Sequence, residues 1–379
     1  MNNQKIGEVC GILSGYAFDS KLFSNDRNDM PLIRIRDVMR GYTNTYTKEI
    51  YDSKYIIKNG DLLIGMDGEF NIAPWQGGDA LLNQRVCKIW ASSSELFNSY
   101  LLYFLPKALK DIERETSFVT VKHLSVYKIR EINIPLPPLE TQKQIAKTLD
   151  TAAELLAMRK QQLAELDNLI TSTFYDMFGD PVTNEMGWEV KKLGEVCNKI
   201  TDGKHGDCKD EAGSGYFFIS AKNIDNGTIK YENARQITQF DFEETNKRTK
   251  LSPGDLLVVN TGATIGKTAI ATDDEKTYKT TFQKSVGIIQ VNPSELSNLF
   301  LNYYINIDRE NIYNAASGSA QKNWLLSQMR NYLIFLPPIN LQEKFAYVAT
   351  RIEEQKALVK KAIDETQYLF DSLMAQYFD

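Results

Sequence analysis

Cysteine and histidine are scarce in this sequence, which has four cysteines and two histidines among 379 residues. They are Cys10, Cys87, Cys197, Cys208, His123 and His205. No two cysteines form a CxxC pair and the histidines stand far apart, so the spacing offers neither a zinc site nor a disulfide framework. We therefore expect no bound metal, and a reducing compartment such as the cytosol.

Long apolar runs are also missing. No run approaches the roughly 18 residues that a membrane span requires, and the first residues, MNNQKIGEVCG, lack the apolar core of a signal peptide. These two absences predict a cytoplasmic protein. The net charge of −5 argues at first against a nucleic-acid partner. Most of the excess acid, however, falls in 140–181 and 340–379, and a nearly neutral domain can still carry a basic face.

Catalytic motifs are the third absence. The stretch TGATIGKT at 261–268 resembles a phosphate-binding loop, but only three residues separate Gly262 from Gly266, where that loop needs four. The TAIAT that follows is typical of a strand, not of the helix whose N-terminus would hold a phosphate. A DNA methyltransferase would need a glycine-rich cofactor motif and an Asn/Asp-Pro-Pro-aromatic tetrad, and neither occurs. We expect no catalysis and no cofactor, with an NTPase or another enzyme as a competing hypothesis.

The sequence does contain a long uninterrupted helical pattern. Residues 140–178 include no Gly or Pro, and apolar side chains recur there every seven positions. They are Leu149, Leu156, Leu163, Ile170 and Met177. Such a repeat is typical of a coiled-coil seam. Pro137 and Pro138 precede the stretch and Gly179 follows it, as expected at the two ends of a helix.

A second helix of the same kind is predicted at 340–378, 200 residues later. Its apolar rows include Ile352, Val359, Ile363 and Phe370. The rows of the two helices are interrupted by Arg159, Thr173, Lys356 and Thr366. We expect the helices to pack antiparallel, with these polar positions setting the register or staying partly exposed. Two unrelated amphipathic helices, each packed on its own domain, are the alternative.

An internal duplication accounts for the second helix. KIGEVC at 5–10 corresponds to KLGEVC at 192–197, KNGDLLIG at 58–65 to SPGDLLVV at 252–259, and IPLPPLETQKQIA at 134–146 to IFLPPINLQEKFA at 334–346. Each half combines short β-rich segments with helices. The predicted fold is α+β. Two mixed α/β domains, 1–139 and 182–339, are related by pseudo-two-fold symmetry and joined by long helices, 140–181 and 340–379, in an antiparallel coiled coil.

Double-stranded DNA fits this architecture, because two similar domains held apart by a spacer can each contact one half of a duplex site. Polar loops supply the side chains that contact base edges. The candidates in the first half are Arg34, Arg36, Asn71, Gln84, Arg85, Thr120 and Lys122. In the second half they are Lys204, His205, Lys222, Asn223, Thr264, Lys267, Ser319, Gln321, Lys322 and Asn323. For each of them an ordinary surface role is the alternative.

The duplicated GDLL turns, the LPPL/LPPI-x-x-Q helix starts and the paired long helices resemble the specificity subunit of type I restriction-modification enzymes. This resemblance covers the whole chain. It implies that 1–139 and 182 to about 335 are target recognition domains, and that the long helices dock two modification subunits, which carry S-adenosylmethionine. It also implies a subunit without catalysis of its own, joined by restriction subunits in the full complex. A coiled-coil scaffold that binds protein or RNA is the competing function.

Overall fold

The computed structural model describes residues 2–115, 122–225, 227–319 and 321–378. The chain divides into two compact units. Unit 1 comprises Met1–Arg159 and Ala362–Asp379, and unit 2 comprises Lys160–Lys361. In the described ranges, no helix combines the length and low polarity that crossing a membrane requires.

Short strands make up much of unit 1, as expected for brief Val-, Ile- and Leu-rich runs between turn residues. In chain order they are β1 (Asn2–Lys5), β2 (Cys10–Ser14), β3 (Phe23–Ser24), β4 (Met30–Ile33), β5 (Tyr46–Thr47), β6 (Ile56–Ile57), β7 (Leu62–Gly65), β8 (Ile72–Pro74), β9 (Ala80–Leu82), β10 (Val86–Ala91) and β11 (Asn133–Leu136). The helices are α1 (Ile6–Val9), α2 (Asn98–Glu115), α3 (Val126–Arg130) and the long α4 (Leu139–Phe178), which continues into unit 2.

Two sheets enclose the core of unit 1. One is antiparallel, in the order β2-β10-β7-β8, and the other has the order β3-β5-β4-β9-β6 with β4 and β9 parallel. Side chains from both sheets, such as Ile33, Leu63 and Leu82, pack in one buried cluster. Ile64 follows Leu63 and points to the opposite face, where it packs with Leu105 of α2. Only residues 83–85 separate β9 from β10, so the chain passes there from one sheet to the other.

Unit 2 repeats this construction. Its strands are β12 (Glu189–Lys192), β13 (Cys197–Asp202), β14 (Phe217–Ile219), β15 (Ile224–Asp225), β16 (Thr228–Ile229), β17 (Arg235–Gln236), β18 (Leu256–Val259), β19 (Thr268–Ile270), β20 (Thr280–Phe282), β21 (Val286–Val291) and β22 (Leu333–Leu336). Its helices are α5 (Gln239–Thr249), α6 (Glu275–Tyr278), α7 (Asn298–Ile307), α8 (Arg309–Ala315), α9 (Leu326–Asn331) and the long α10 (Ile339–Phe378), which ends in unit 1.

The sheets of unit 2 match those of unit 1 strand by strand. The order β13-β21-β18-β19 corresponds to β2-β10-β7-β8, and the parallel pair β14 and β20 corresponds to β4 and β9. Helix α5 has no counterpart helix among the described residues of unit 1. The predicted duplication and the predicted α+β class are therefore confirmed, and the second copy has gained a helix in a loop.

The two long helices match their predicted spans to within one residue. Within unit 1, Leu149 near the start of α4 and Phe370 near the end of α10 belong to the same apolar cluster. Within unit 2, Ile170 near the end of α4 and Ile352 near the start of α10 share another cluster. Since the start of one helix lies with the end of the other in each unit, their packing is antiparallel, as predicted.

The buried row of α4 departs from the strict heptad near its end. Phe174 and Phe178 are fully buried in unit 2, whereas the predicted Met177 is only partly buried. Phe174 stacks on Phe300 with 5.5 Å between ring centroids, and its edge meets Phe345. The shift has a simple cause, because a straight helix has 3.6 residues per turn and drifts away from a repeat of 3.5.

Polar residues on the long helices bond to the neighbouring long helix. Arg159 donates hydrogen bonds to the backbone oxygen of Ala362 and to the hydroxyl of Thr366. The Lys356 ammonium lies 2.6 Å from a carboxylate oxygen of Asp167 on α4. Directional contacts of this kind hold only in one helix register, so the structure supports the predicted register-setting role of Arg159 and Lys356.

Candidate nucleic-acid interface

A short turn between the two sheets forms the base of the candidate site in unit 1. The loop after β2 runs along this turn, residues 83–85: the Tyr16 N–H donates to the Leu82 oxygen at 3.0 Å and the Gln84 N–H to the Tyr16 oxygen at 2.8 Å. Gly15 permits the close approach, because a Cβ at this position would lie 2.0 Å from the Asn83 oxygen. Backbone contacts therefore fix the position of the turn.

Unit 2 builds the same turn from residues 283–285. The Lys204 N–H donates to the Phe282 oxygen at 2.9 Å, and the Lys284 N–H donates to the Lys204 oxygen at 3.1 Å. Gly203 takes the place of Gly15, since its Cβ would lie 1.9 Å from the Phe282 oxygen. The duplicated sequence thus produces the same backbone scaffold twice, and only the side chains on it differ.

The turn in unit 1 borders a pocket of about 260 Å³, here called the unit 1 pocket. Its lining consists of Phe18, Ser20, Phe23, Arg34, Ile35, Asn83, Gln84 and Arg85. The buried Asp37 carboxylate accepts the Arg34 backbone N–H at 2.9 Å and so holds the backbone that carries the Arg34 side chain. Arg34 and Gln84 are exposed, and their side chains have no hydrogen-bond partner in the described part of the chain. As far as the structure describes the chain, this lining contains no acidic residue.

The matching unit 2 pocket encloses about 550 Å³. The described residues of its lining are Phe218, Ser220, Lys222, Asn223, Lys230, Asn233, Arg235 and Gln283, and again none of them is acidic. Asn223 occupies the place of Asp37, because its Oδ1 accepts the Ser220 backbone N–H at 3.0 Å. Lys222 and Lys230 are exposed at this pocket. Ammonium and amide groups on a fixed backbone suit a ligand with phosphates and base edges.

Arg235 is held firmly in the wall of the unit 2 pocket. Its Nε donates to Asp210 at 2.8 Å and its Nη1 donates to Asp207 at 2.7 Å, while the guanidinium carbon lies 5.5 Å from the centre of the Phe218 ring. The hydrogen bond from Arg235 lowers the pKa of the Asp207 carboxyl below its usual range, and both aspartates raise the pKa of Arg235. With these donors occupied, Arg235 stabilises the pocket wall.

A second loop contact also occurs in both units. In unit 1 the β7–β8 turn bridges to His123, whose Nδ1 lies 2.6 Å from Oδ1 of Asp67, and Arg85 lies beside this pair with its Nε 3.3 Å from Oδ2 of Asp67. In unit 2 the corresponding bridge joins Thr261 to Asn323, and the Thr261 hydroxyl donates to the Asn323 Oδ1 at 2.5 Å. An ion pair in one unit thus corresponds to a neutral hydrogen bond in the other.

Two lysines among the candidates serve the fold. Lys122 Nζ donates to the Glu113 backbone oxygen at 2.8 Å, and Lys322 Nζ donates to the Tyr313 oxygen at 3.0 Å. Both contacts lie near the end of a helix, where backbone oxygens lack partners within the helix. The sequence predicted DNA contacts for both lysines, but their ammonium groups are directed at these backbone oxygens.

Three further candidates contact carboxylates. Lys204 lies 2.9 Å from Asp241, His205 lies 2.8 Å from Asp202, and Lys267 lies 2.8 Å from Asp225. The hydrogen bond to Asp241 raises the pKa of Lys204, so this side chain stays charged. Because each pair is partly exposed, a phosphate could replace the carboxylate at modest cost.

The other candidates lie at the surface or outside the described residues. Arg36 is exposed, with its guanidinium 3.5 Å from the Thr45 hydroxyl, and Asn71 makes a 3.5 Å contact with Glu69. Thr264 is half-buried, Ser319 and Gln321 are exposed, and Thr120 lies outside the described residues. Sequence reasoning missed the pocket residues Ser20, Lys230, Asn233, Arg235 and Gln283. The 200-residue offset from Asn83 was a signal for Gln283.

The chain matches, in two copies, the family described as type I restriction modification DNA specificity domain, over residues 1–168 and 185–367. It belongs to this family. Among curated relatives, the EcoBI specificity subunit of Escherichia coli is 29% identical, with 98% of this chain and 84% of the relative covered. The EcoKI specificity subunit of Escherichia coli strain K12 is 21% identical, covering 98% of this chain and 87% of the relative.

Solved structures of specificity subunits share the fold. The type I S subunit from M. genitalium superposes with a TM-score of 0.60 and 13% identity, covering 100% of this chain and 96% of that one. A second structure, from work on complex assembly and conformational transition of the type I R-M system, gives a TM-score of 0.60 and 18% identity, with 99% and 96% covered. At these identities the likeness concerns the fold.

Proposed function

We propose that this chain is the sequence-specific DNA-binding subunit of a type I restriction-modification enzyme. It recognises a bipartite duplex site, one half-site per unit, and directs methyltransferase and restriction subunits to it. The observation that carries the proposal is the pocket built twice on the same backbone turn, with different side chains in each copy. Because the backbone turns are alike and the side chains on them differ, each pocket is suited to recognise a different half-site sequence.

The charges around the pockets favour DNA over the competing scaffold function. Among the described residues, neither pocket lining contains an acidic residue, although the whole chain carries a net charge of −5. Exposed Arg34 in unit 1, and Lys222 and Lys230 in unit 2, can contact phosphates beside the bases. A coiled-coil scaffold that binds protein or RNA would not need two such pockets at equivalent places.

Family membership supports a proposed division of labour between this chain and its partner subunits. We propose that the chain itself is not catalytic, and that two modification subunits carrying S-adenosylmethionine dock on the long helices. Restriction subunits complete the assembly, and the complex works in the cytoplasm, where the cell's DNA lies. In this proposal residues 1–139 and 182–339 are the two target recognition domains, and 140–181 and 340–379 are the helical repeats.

Methylome sequencing tests this function. Cells that produce the system's own modification subunits are compared with and without this chain. The expected result is one methylated motif with two defined segments and a nonspecific spacer, which disappears when the chain is omitted. The chain produced alone, without a modification subunit, should yield no methylation. A motif that persists without the chain, or one contiguous motif, would contradict the proposal.

A further inference from the structure

A side-chain amide can read adenine only when both ends of the amide are free. Asn or Gln contacts adenine with two hydrogen bonds, since its NH₂ donates to N7 and its oxygen accepts from the N6 amino group. An amide already bonded inside the protein would have to break those bonds first. The hydrogen bonds that each amide of unit 2 makes inside the protein therefore distinguish amides that can contact a base from amides that stabilise the fold.

Two predicted asparagines of unit 2 fail this requirement. Asn223 is buried, its Oδ1 accepts the Ser220 N–H at 3.0 Å, and its Nδ2 donates to the Lys230 oxygen at 3.0 Å. The Oδ1 of Asn323 accepts the short hydrogen bond from the Thr261 hydroxyl. Both amides hold loops together, so neither is available for a two-bond contact with a base.

Gln283 meets the requirement. It lines the unit 2 pocket, is half-buried, and its side-chain amide has no hydrogen-bond partner among the described residues. Its backbone is held at both ends, because its N–H donates to the Ile219 oxygen at 2.9 Å and its oxygen accepts the Val286 N–H at 3.0 Å. A free amide on a fixed backbone loses little freedom on binding, which favours a specific contact.

The residues around Gln283 are of the kind that contact the DNA backbone beside a base. Exposed Lys222 and Lys230 border the same pocket and can contact the phosphates that flank a base. In unit 1 the equivalent position is Asn83, whose Oδ1 accepts the Gln84 backbone N–H at 2.9 Å. In that pocket the side chains of Arg34 and Gln84 have no hydrogen-bond partner among the described residues, so the two pockets present different chemistry to DNA.

Resting on the proposed function, we infer that Gln283 reads an adenine in the half-site recognised by unit 2. Its NH₂ donates to N7 and its Oε1 accepts from N6 of that adenine. The contact lies in the turn that precedes β21, which holds none of the DNA-contact residues that the sequence predicted in unit 2.

The test uses the complete methyltransferase complex, reconstituted from this chain and its own modification subunits. Competition binding is measured with duplexes in which each position of the half-site carries each of the four bases. With Gln283→Ala, the preference for adenine at one position should fall by about 5- to 150-fold, the range of one bidentate contact. With Gln283→Glu the same position should come to favour cytosine, because a carboxylate accepts from the N4 amino group.

Gln321→Ala tests the competing assignment, because Gln321 is an exposed glutamine in the same unit that the sequence predicted to contact DNA and that lies outside the pocket. It should leave every base preference unchanged, and all variants should leave the other half-site unchanged. Unaltered preferences in Gln283→Ala, or loss of an adenine preference in Gln321→Ala instead, would overturn the inference. A wild-type complex without a bipartite preference would contradict the proposed function itself, so the two failures are distinguishable.

Discussion

At the scale of single residues, the glutamine of the LPPL/LPPI-x-x-Q motif has a clear structural role. Gln342 is fully buried at the start of α10. Its Oε1 accepts the Ser297 N–H at 2.9 Å, and its Nε2 donates to the backbone oxygens of Glu295 at 3.0 Å and Pro337 at 2.8 Å. Gln142 makes the equivalent three bonds in unit 1. The motif thus ties each long helix to the segment that leads into α7 or α2.

Replacing Gln342 with methionine tests this role. Methionine keeps the volume but leaves one backbone N–H and two backbone oxygens buried without partners, and each such group costs about 1–3 kcal/mol. Since such losses are not fully additive, we expect the free energy of unfolding to fall by about 2–4 kcal/mol in urea titrations. Gln355→Met, at an exposed position of the same helix, should change it by less than about 0.5 kcal/mol. Equal losses in both variants would rule out the role.

At the scale of the long helices, Lys356 is a buried charged residue of α10. It is 8% exposed, and its ammonium contacts Asp167 at 2.6 Å and Glu353 at 2.7 Å. Burial lowers the pKa of Lys356, but the hydrogen bonds to both carboxylates outweigh this effect and the net pKa is raised. The duplicated sequence places Leu156 at the equivalent position of α4, which shows that an apolar residue fits the pattern.

Lys356→Leu is therefore expected to leave the chain as stable as the wild type at pH 7, or more stable by up to about 2 kcal/mol. Asp167 stays solvated after the change, because its side chain is 59% exposed. The raised pKa of Lys356 stabilises the wild type fully below the ordinary lysine pKa of about 10.4, and this contribution is lost as pH rises above it. In urea titrations, the difference in the free energy of unfolding between Lys356→Leu and the wild type should be constant from pH 6 to 9. Above about pH 10.4 the difference should change in favour of the variant, because the wild type loses stability there. A loss of more than about 2 kcal/mol at pH 7 would mean that the ion pairs are a net source of stability.

At the scale of the whole molecule, the proposed function assigns the two units to two half-sites. Each long helix has 40 residues without a break and belongs partly to each unit. We propose that these helices set the number of base pairs between the half-sites. The length of these helices can be changed without altering either pocket. Their effect on the spacer length can therefore be tested separately from the recognition of bases.

Seven residues added after Arg159, with seven more after Lys361, preserve the heptad phase of both helices. The added length is about 10.5 Å at 1.5 Å per residue, or roughly three base pairs of B-form DNA. We expect methylome sequencing to show both half-site sequences unchanged and a longer spacer, with weaker methylation because the DNA must also twist.

The matched control adds four residues at each of the same two places. This insertion changes the phase of the apolar rows, so the helices should no longer pack and methylation should be lost. An active seven-residue variant with an unchanged spacer would show that the helices do not set the distance between the half-sites.

The sequence by itself determined the duplication, both long helices and the family, because these depend on periodicity and on repeated local segments. Heptad spacing specifies an amphipathic helix without reference to distant residues, and α4 and α10 match their predicted spans to within one residue. The candidate residues were identified by composition, and five of them do border the pockets: Arg34, Gln84 and Arg85 in unit 1, and Lys222 and Asn223 in unit 2.

Only the tertiary structure decided which polar side chains are free. Three polar residues in predicted loops, Lys122, Asn223 and Lys322, instead donate hydrogen bonds to backbone oxygens. These oxygens belong to Glu113, Lys230 and Tyr313, respectively, which lie seven to nine residues away in the sequence. Gln283 was not among the predicted site residues, although it lines a pocket and its amide has no hydrogen-bond partner in the part of the chain that the structure describes. The physical reason is that a hydrogen bond between distant segments forms only when the fold brings them together. A sequence shows which groups can donate or accept, and the fold selects their partners.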